Sequence, residues 1–298
     1  MQKINEILKK YNIKPHRYEK NGKVIIVSDE VNKYVIKKNQ RNQEIFEYLR
    51  NRSFDYYPKI LNDSNDSYEI SEYIYDDYIP DEQKMLDLIK LVSLLHNKTT
   101  HYKEVDFADY KTIYETLSNN IEYLYSYYND IITLIETKVY MSPSEYLLAR
   151  NISKIFGSLN FSKQELEKWY KLVENKTKQR VVVLHNNLDL SHFRSNTKNY
   201  LLSWDKAKLG IPIFDLYILY KRHGLDFNFE EILKYYESSY KLQEDEKILF
   251  FILIALPDKI EFDGTLYEQT KKIGKFLDLS YKTESLISPY YTKNEPSN

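Results

Sequence analysis

Residues 181–216, VVVLHNNLDLSHFRSNTKNYLLSWDKAKLGIPIFDL, set the order of elements around them more tightly than any other stretch of the chain. The four apolar residues at 181–184 are too few for a helix and read as a short buried strand. His185 opens a polar loop that closes at His192. A second apolar pair, Leu201 and Leu202, leads into Ser203, Trp204 and Asp205. Asp215 and Leu216 then open an apolar helix that runs through Tyr220. The pattern is strand, loop, strand, loop, helix. Loops held between buried elements are where a fold presents polar side chains to a ligand.

Three blocks inside this stretch resemble the aminoglycoside phosphotransferase and choline kinase-like family, the small-molecule relatives of protein kinases. The family pattern is H-G-D-x-x-x-x-N, then I-D-W/F-E/D, then G-x-P-x-x-D-L. The corresponding blocks here are residues 185–192 (HNNLDLSH), 202–205 (LSWD) and 210–216 (GIPIFDL), and the last two keep the family's spacing without a gap. The departures fall on the chemical positions. The resemblance puts the catalytic-loop base at Asn187, the metal-binding Asn at His192 and the principal metal-binding Asp at Ser203.

Those replacements bear directly on phosphoryl transfer, which relies on positioning, a proton acceptor and magnesium to offset phosphate charge. An ionised carboxylate accepts the substrate proton; the amide of Asn187 is far too weakly basic to do so. Magnesium prefers hard oxygen ligands, usually carboxylates with phosphates and water. Ser203 offers a neutral hydroxyl and His192 a softer imidazole. Two substitutes lie close by in sequence. Asp189 is two residues beyond Asn187 and Asp205 two beyond Ser203, and in an extended segment a step of two returns to the same face. The plainer reading is that Asp189 is a solvated loop residue and Asp205 a turn residue that caps local amides. His192 with Asp205 makes a two-residue metal candidate. In related folds the histidine at the position of His185 is an architectural hydrogen-bonder, and that role is expected of it here.

Composition narrows the function classes. A chain of 298 residues is long enough for two domains with sizeable cores. It has no apolar run of the roughly 18 residues a membrane span requires; residues 248–256 (ILFFILIAL) suit a buried helix. The N-terminal residues lack the apolar core of a secretory signal. Cys is absent, which excludes disulfides, thiolate metal sites and a Cys nucleophile and agrees with a cytoplasmic protein. A net charge of -1 gives no reason to invoke nucleic acid. Thirty Tyr against six Gly is an unusual balance, explained more simply by codon usage in a low-GC genome than by an aromatic binding surface.

The N-terminal third reads as a small β-rich lobe. After an amphipathic helix over residues 1–11, residues 16–38 alternate as three antiparallel strands, with Asn21-Gly22 as a turn signal. A helix is expected over 39–52, with Ile45, Phe46 and Leu49 apolar, then two more strands at 59–61 and 67–74. Five strands with one helix after the third is the small lobe of a kinase-like fold. The resemblance extends here: Tyr34-Val35-Ile36-Lys37 is similar to the strand that carries the phosphate-pairing lysine. That implies Glu44, or Glu47 one turn on, as the partner of Lys37. It also implies that Glu72, Tyr73 and Ile74 form the hinge whose backbone pairs with adenine. ATP, with magnesium, is thus the implied cofactor, although no Gly-rich phosphate loop is present: Gly22 is the only glycine before Gly157.

From residue 81 the chain is expected to be helical, with helices at 82–96, 109–136, 144–156, 162–174, 229–240, 244–256 and 267–277. The fold expected is therefore α+β: a protein-kinase-like, two-lobed chain with a β-rich N-lobe at residues 1–76, a helical C-lobe at 77–281 and a flexible tail at 282–298. The FDYYP segment at 54–58 and the Tyr-rich long helix resemble the bacterial spore-coat kinase-like branch, which would admit a spore-coat location. Three functions remain open: a pseudokinase acting as scaffold or as nucleotide or ligand sensor; an active ATP-dependent phosphotransferase on a small hydroxylated or aminated molecule, using Asp189 and Asp205; and a coat-like structural protein with an empty nucleotide cleft. The sequence names no particular small-molecule or protein ligand and no oligomeric state.

Overall fold

The structure is a computed structural model that describes residues 2–63 and 66–292. In chain order, helix α1 (Gln2–Lys10) precedes strands β1 (Arg17–Asn21), β2 (Val24–Ser28) and β3 (Lys33–Lys38), helix α2 (Gln43–Asn51) and strand β4 (Tyr68–Glu72). Helix α3 (Asp81–Thr99), strand β5 (His101–Glu104) and the long helices α4 (Phe107–Glu136) and α5 (Pro143–Val173) follow. Then come strands β6 (Lys178–Leu184), β7 (Phe193–Ser195), β8 (Asn199–Leu201) and β9 (Lys208–Gly210), and helices α6 (Ile213–His223), α7 (Phe229–Ser239), α8 (Glu244–Ala255) and α9 (Leu266–Thr292). The chain is α+β, with a β-rich N-terminal part and a mainly helical remainder.

Contacts divide the chain into two compact units. The first holds residues Met1–Thr100, Val182–Gly210 and Ser238–Tyr240; the second holds His101–Val181, Ile211–Glu237 and Lys241–Asn298. The division expected at residue 76 therefore falls elsewhere: α3, β7, β8 and β9 belong with the N-terminal sheet. In the first unit, α3 packs on the β7–β8 hairpin.

The sheet of the first unit runs β1-β2-β3-β4, all antiparallel. Gly22, at φ 56°, makes the left-handed turn between β1 and β2 that Asn21-Gly22 foretold. Only four of the five expected strands form. Residues 59–61 contribute an isolated bridge, Ile60 to Ser71, in place of a strand. Strand alternation sorts the side chains into two faces. One carries Ile25, Val27, Tyr34, Ile36, Tyr68 and Ile70, and Ile4, Leu8 and Ile13 pack against it to form a core. Register places Val24, Ile26, Val35, Lys37, Glu69 and Ser71 on the other face.

The second unit is built on α4 against α5, and on α5 against α8 and α9. The two helices expected at 144–156 and 162–174 are one. Leu148, Ile155, Leu159, Ser162, Leu166, Trp169 and Val173 form a continuous buried stripe through Gly157. Ser142 caps α5, and Glu145 returns the bond to the Ser142 N–H at 2.8 Å. The segment expected as a flexible tail from residue 282 continues α9 to Thr292, with Leu286 and Ile287 buried; residues 293–298 of that tail lie outside the described residues. Among the described residues, no helix is long and apolar enough to cross a membrane.

Candidate functional site

The second face of the N-terminal sheet forms one wall of a cavity of about 340 Å³, lying wholly within the first unit. Val24, Ile26 and Val35 give it an apolar roof. Lys37, Glu69 and Ser71 continue the same face, Glu72, Tyr73 and Ile74 form one end, and Ser191, His192, Arg194, Ser203 and Asp205 come from the polar loops. Strand pleat and loop geometry thus bring together residues more than 160 positions apart.

Lys37 is the centre of charge. Its Nζ lies 2.7 Å from Asp205 Oδ1 and 3.4 Å from Glu69 Oε1. Glu69 stands directly across from Lys37 in the β3–β4 register and is buried. The expected partner, Glu44, is not there. Ile45, Phe46 and Leu49 take the buried face of α2, which leaves Glu44 and Glu47 exposed. Glu47 instead accepts a bond from Gln43 at 2.8 Å. The lysine is therefore held from the neighbouring strand and the Ser-Trp-Asp loop, not from the helix.

Trp204 fixes that loop. It is 4% exposed, lies edge-on to Phe46, Phe54 and Tyr57, and donates its indole N–H to the Leu201 carbonyl at 2.8 Å. His185 packs against the same indole, with ring centroids 4.9 Å apart. The turn before Trp204 puts Ser203 in the left-handed region at φ 62°. Non-glycine residues are uncommon there, and such positions cluster at functional loops. Asn186, at φ 56°, does the same in the preceding loop, and asparagine tolerates this conformation better than most residues.

The histidines are structural in their observed bonds. His185 is fully buried, and its Nε2 donates to the Leu202 carbonyl at 2.7 Å. His192 Nδ1 donates to the Asn187 carbonyl at 2.8 Å, so in the neutral ring Nε2 keeps the lone pair. Asp189 caps the 3-10 turn Leu190–His192: its Oδ1 accepts from the Ser191 N–H at 2.8 Å and from the Ser191 hydroxyl at 2.6 Å. That is a loop-capping role for Oδ1. Asn187, Asp189, His185 and Glu44 are not among the described residues that wall the cavity, whereas Lys37, Glu72, Tyr73, Ile74, His192, Ser203 and Asp205 are.

At the cavity end formed by residues 72–74, Tyr73 donates its N–H to the Lys33 carbonyl at 3.1 Å, and the Glu72 carboxylate accepts from the Lys59 N–H at 2.8 Å. Asp76 then ties this segment to the β7–β8 hairpin by accepting from the Ser195 N–H at 2.9 Å, and Lys84 pairs with it at 2.8 Å. Burial opposes ionisation of Asp76. The Lys84 and Ser195 bonds, with the charges of Lys84 and Arg194, outweigh it and hold the carboxyl below the usual carboxylate range. Sequence reasoning missed three charged cavity residues. Glu69 was visible only through strand alternation. Arg41, whose guanidinium lies 5.8 Å from the Phe46 ring centre, and Arg194 carried no sequence signal.

The donor set does not suit magnesium. Ser203 supplies a hydroxyl and His192 an imidazole, and the carboxylates of Asp205 and Glu69 are engaged with Lys37. Among the described residues, no three His, Asp or Glu side chains converge to hold a metal ion.

No family model matches the sequence, and no curated protein matches it. The fold does have solved counterparts. An aminoglycoside phosphotransferase from Alicyclobacillus acidocaldarius superposes with a TM-score of 0.73 over 96% of this chain and 94% of its own, at 10% identity. The AMP-bound complex of a spectinomycin phosphotransferase gives 0.55 over 100% and 96%, at 15% identity. The same enzyme in complex with ADP and spectinomycin gives 0.53 over 100% and 95%, at 14% identity. This chain has the aminoglycoside phosphotransferase fold. Within that kinase-like fold, the cavity of this chain is walled by the lysine on β3, the segment after β4 and the two loops.

Proposed function

We propose that this chain is a pseudokinase that binds a nucleotide without catalysing phosphoryl transfer and acts as a sensor or scaffold. The observation that carries the reading is the state of Lys37. Lys37, the ammonium of β3 that lines the cavity, is paired with Asp205 at 2.7 Å and Glu69 at 3.4 Å, while the base position holds an amide. An amide at position 187 removes the proton acceptor, and Ser203 with His192 removes the hard ligands that would hold magnesium against the phosphates. The cavity retains what nucleotide binding needs. Its roof is apolar, its far end presents backbone, and among the described residues nothing bonds to the N–H or C=O of Ile74. The AMP and ADP complexes belong to one enzyme of the same fold at 14–15% identity, so they support the reading by shape only.

The test is calorimetry of ATP and ADP with the full chain, with magnesium and with chelator. Binding that is indifferent to magnesium is the expected result. Binding that requires magnesium, with turnover on a hydroxylated or aminated acceptor, would establish the active-transferase reading. That reading has one point in its favour: Asp205 lines the cavity beside Lys37, two residues beyond Ser203. Its other proposed carboxylate, Asp189, is occupied in capping Ser191. No binding in either condition would leave a structural protein with an empty cleft.

A further inference from the structure

Arg194 sits on β7, where the cavity meets the segment that follows β4. One of its nitrogens is committed. Nη1 donates to the Phe193 carbonyl at 2.8 Å and the Ser191 carbonyl at 3.0 Å, and lies 3.7 Å from Asp76 Oδ2. Asp76 in turn accepts from Ser195, the next residue on β7, and the Asp77 N–H donates to the Ser195 carbonyl at 2.7 Å. The guanidinium is therefore pinned at one corner to the segment directly following Tyr73 and Ile74. Among the described residues, nothing accepts from its Nε or Nη2. Those two nitrogens form the side-on edge of the guanidinium, two parallel donors whose natural complement is a pair of acceptors in one plane.

Resting on the nucleotide reading above, we propose that Arg194 is the residue that selects the base, and that it favours a purine with a 6-oxo group over adenine. A guanine or hypoxanthine base offers O6 and N7 as adjacent acceptors, which is the pair an arginine edge reads bidentately. Adenine offers N7 beside an exocyclic amine, so one of the two donors would face another donor. The pinned Nη1 fixes the orientation of the fork before any ligand arrives, so little side-chain freedom is lost on binding. A phosphate group carries the same acceptor chemistry, and the experiment must separate it from a base edge.

The experiment is a set of titrations of the full chain in chelator with GTP, ITP, ATP and inorganic tripolyphosphate, repeated with Arg194→Met and Arg194→Lys. ITP keeps O6 and N7 but lacks the 2-amino group of guanine. GTP and ITP are expected to bind alike and roughly tenfold or more tighter than ATP, in line with a bidentate base contact. Arg194→Met is expected to level the three nucleotides, and Arg194→Lys to recover little, because an ammonium is a point charge without the fork. ATP bound as tightly as GTP by the unmodified chain would overturn this proposal and leave the nucleotide reading standing. So would a preference that survives Arg194→Met. A loss of tripolyphosphate affinity in Arg194→Met as large as the loss for GTP would assign the guanidinium to phosphate and overturn the base assignment. Failure of every nucleotide to bind the unmodified chain would remove both readings.

Discussion

The pairing of Lys37 with Asp205 makes a prediction whose sign separates a pseudokinase from an enzyme. Phosphate oxygens that reach Lys37 must share or displace the Asp205 carboxylate, now 2.7 Å from the ammonium. The side chains are 18% and 32% exposed, so solvent screens the pair substantially, and partly exposed pairs of this kind contribute on the order of 1 kcal/mol or less. Asp205→Asn removes the competitor and also removes a negative charge that repels the incoming phosphate. A gain of about 0.6–1.4 kcal/mol corresponds to roughly three- to tenfold tighter binding of ADP in chelator. The gain is expected to shrink as salt rises, because both contributions are electrostatic. Adenosine, which has no phosphate, is the control and is expected to bind both forms equally. The assay is calorimetry at two salt concentrations, in chelator and again with magnesium. If Asp205→Asn instead weakens ADP binding, and does so only when magnesium is present, then Asp205 is a metal ligand and the reasoning from Lys37 is wrong.

Other perturbations test the frame around that pair. Trp204→Ala is expected to cost about 3–5 kcal/mol in chemical denaturation, since it empties a site enclosed by Phe46, Phe54, Tyr57 and His185; a loss under about 1 kcal/mol would show that the Ser-Trp-Asp loop is held by something else. Asp76 has a depressed carboxyl pKa in the folded chain, so its contribution is present above the unfolded value near ~3.9 and is lost as pH falls through the folded value. Thermal melts of Asp76→Asn are therefore expected to show a deficit at pH 7 that closes in acid, and a deficit constant with pH would contradict the assignment. Restoring acidic and amide groups together, with Asn187→Asp, His192→Asn and Ser203→Asp, is expected to make nucleotide binding magnesium-dependent; calorimetry that shows no metal effect in this variant would mean the metal positions lie elsewhere.

Several features of the fold are legible in the chain because they are local. The turn signal Asn21-Gly22 ahead of the apolar run KVIIVS encodes the β1–β2 hairpin, and the 3.6-residue stripe of α4 encodes a buried helix face. Features that depend on distant pairing are not. The length of α5 was obscured by Gly157, a residue that looks like a stop in isolation, yet the buried stripe from Leu148 to Val173 carries the helix through it. The extension of α9 past residue 281 was hidden by a polar sequence containing Pro289, although Thr283, Leu286 and Ile287 are buried in that stretch.

The candidate site divides along the same line. Asn187, His192 and Ser203 were singled out by the resemblance of residues 185–192 and 202–205 to the family's blocks, and of these His192 and Ser203 line the cavity. The partner of Lys37 was not. Choosing Glu44 required knowing which face of α2 turns inward, and Ile45, Phe46 and Leu49 settle that against it. Choosing Glu69 required the β3–β4 register across a connection of nearly thirty residues, and a slip of one residue would have turned Glu69 to the opposite face. The same slip would have placed Tyr68 or Ile70 opposite Lys37, with no carboxylate to hold it. The charge state of this cavity is thus a property of strand register, set by the apolar face that Val27, Ile36 and Ile70 bury against α1. Apolar residues with no role in chemistry, on the far side of the sheet, help decide which carboxylate meets the lysine.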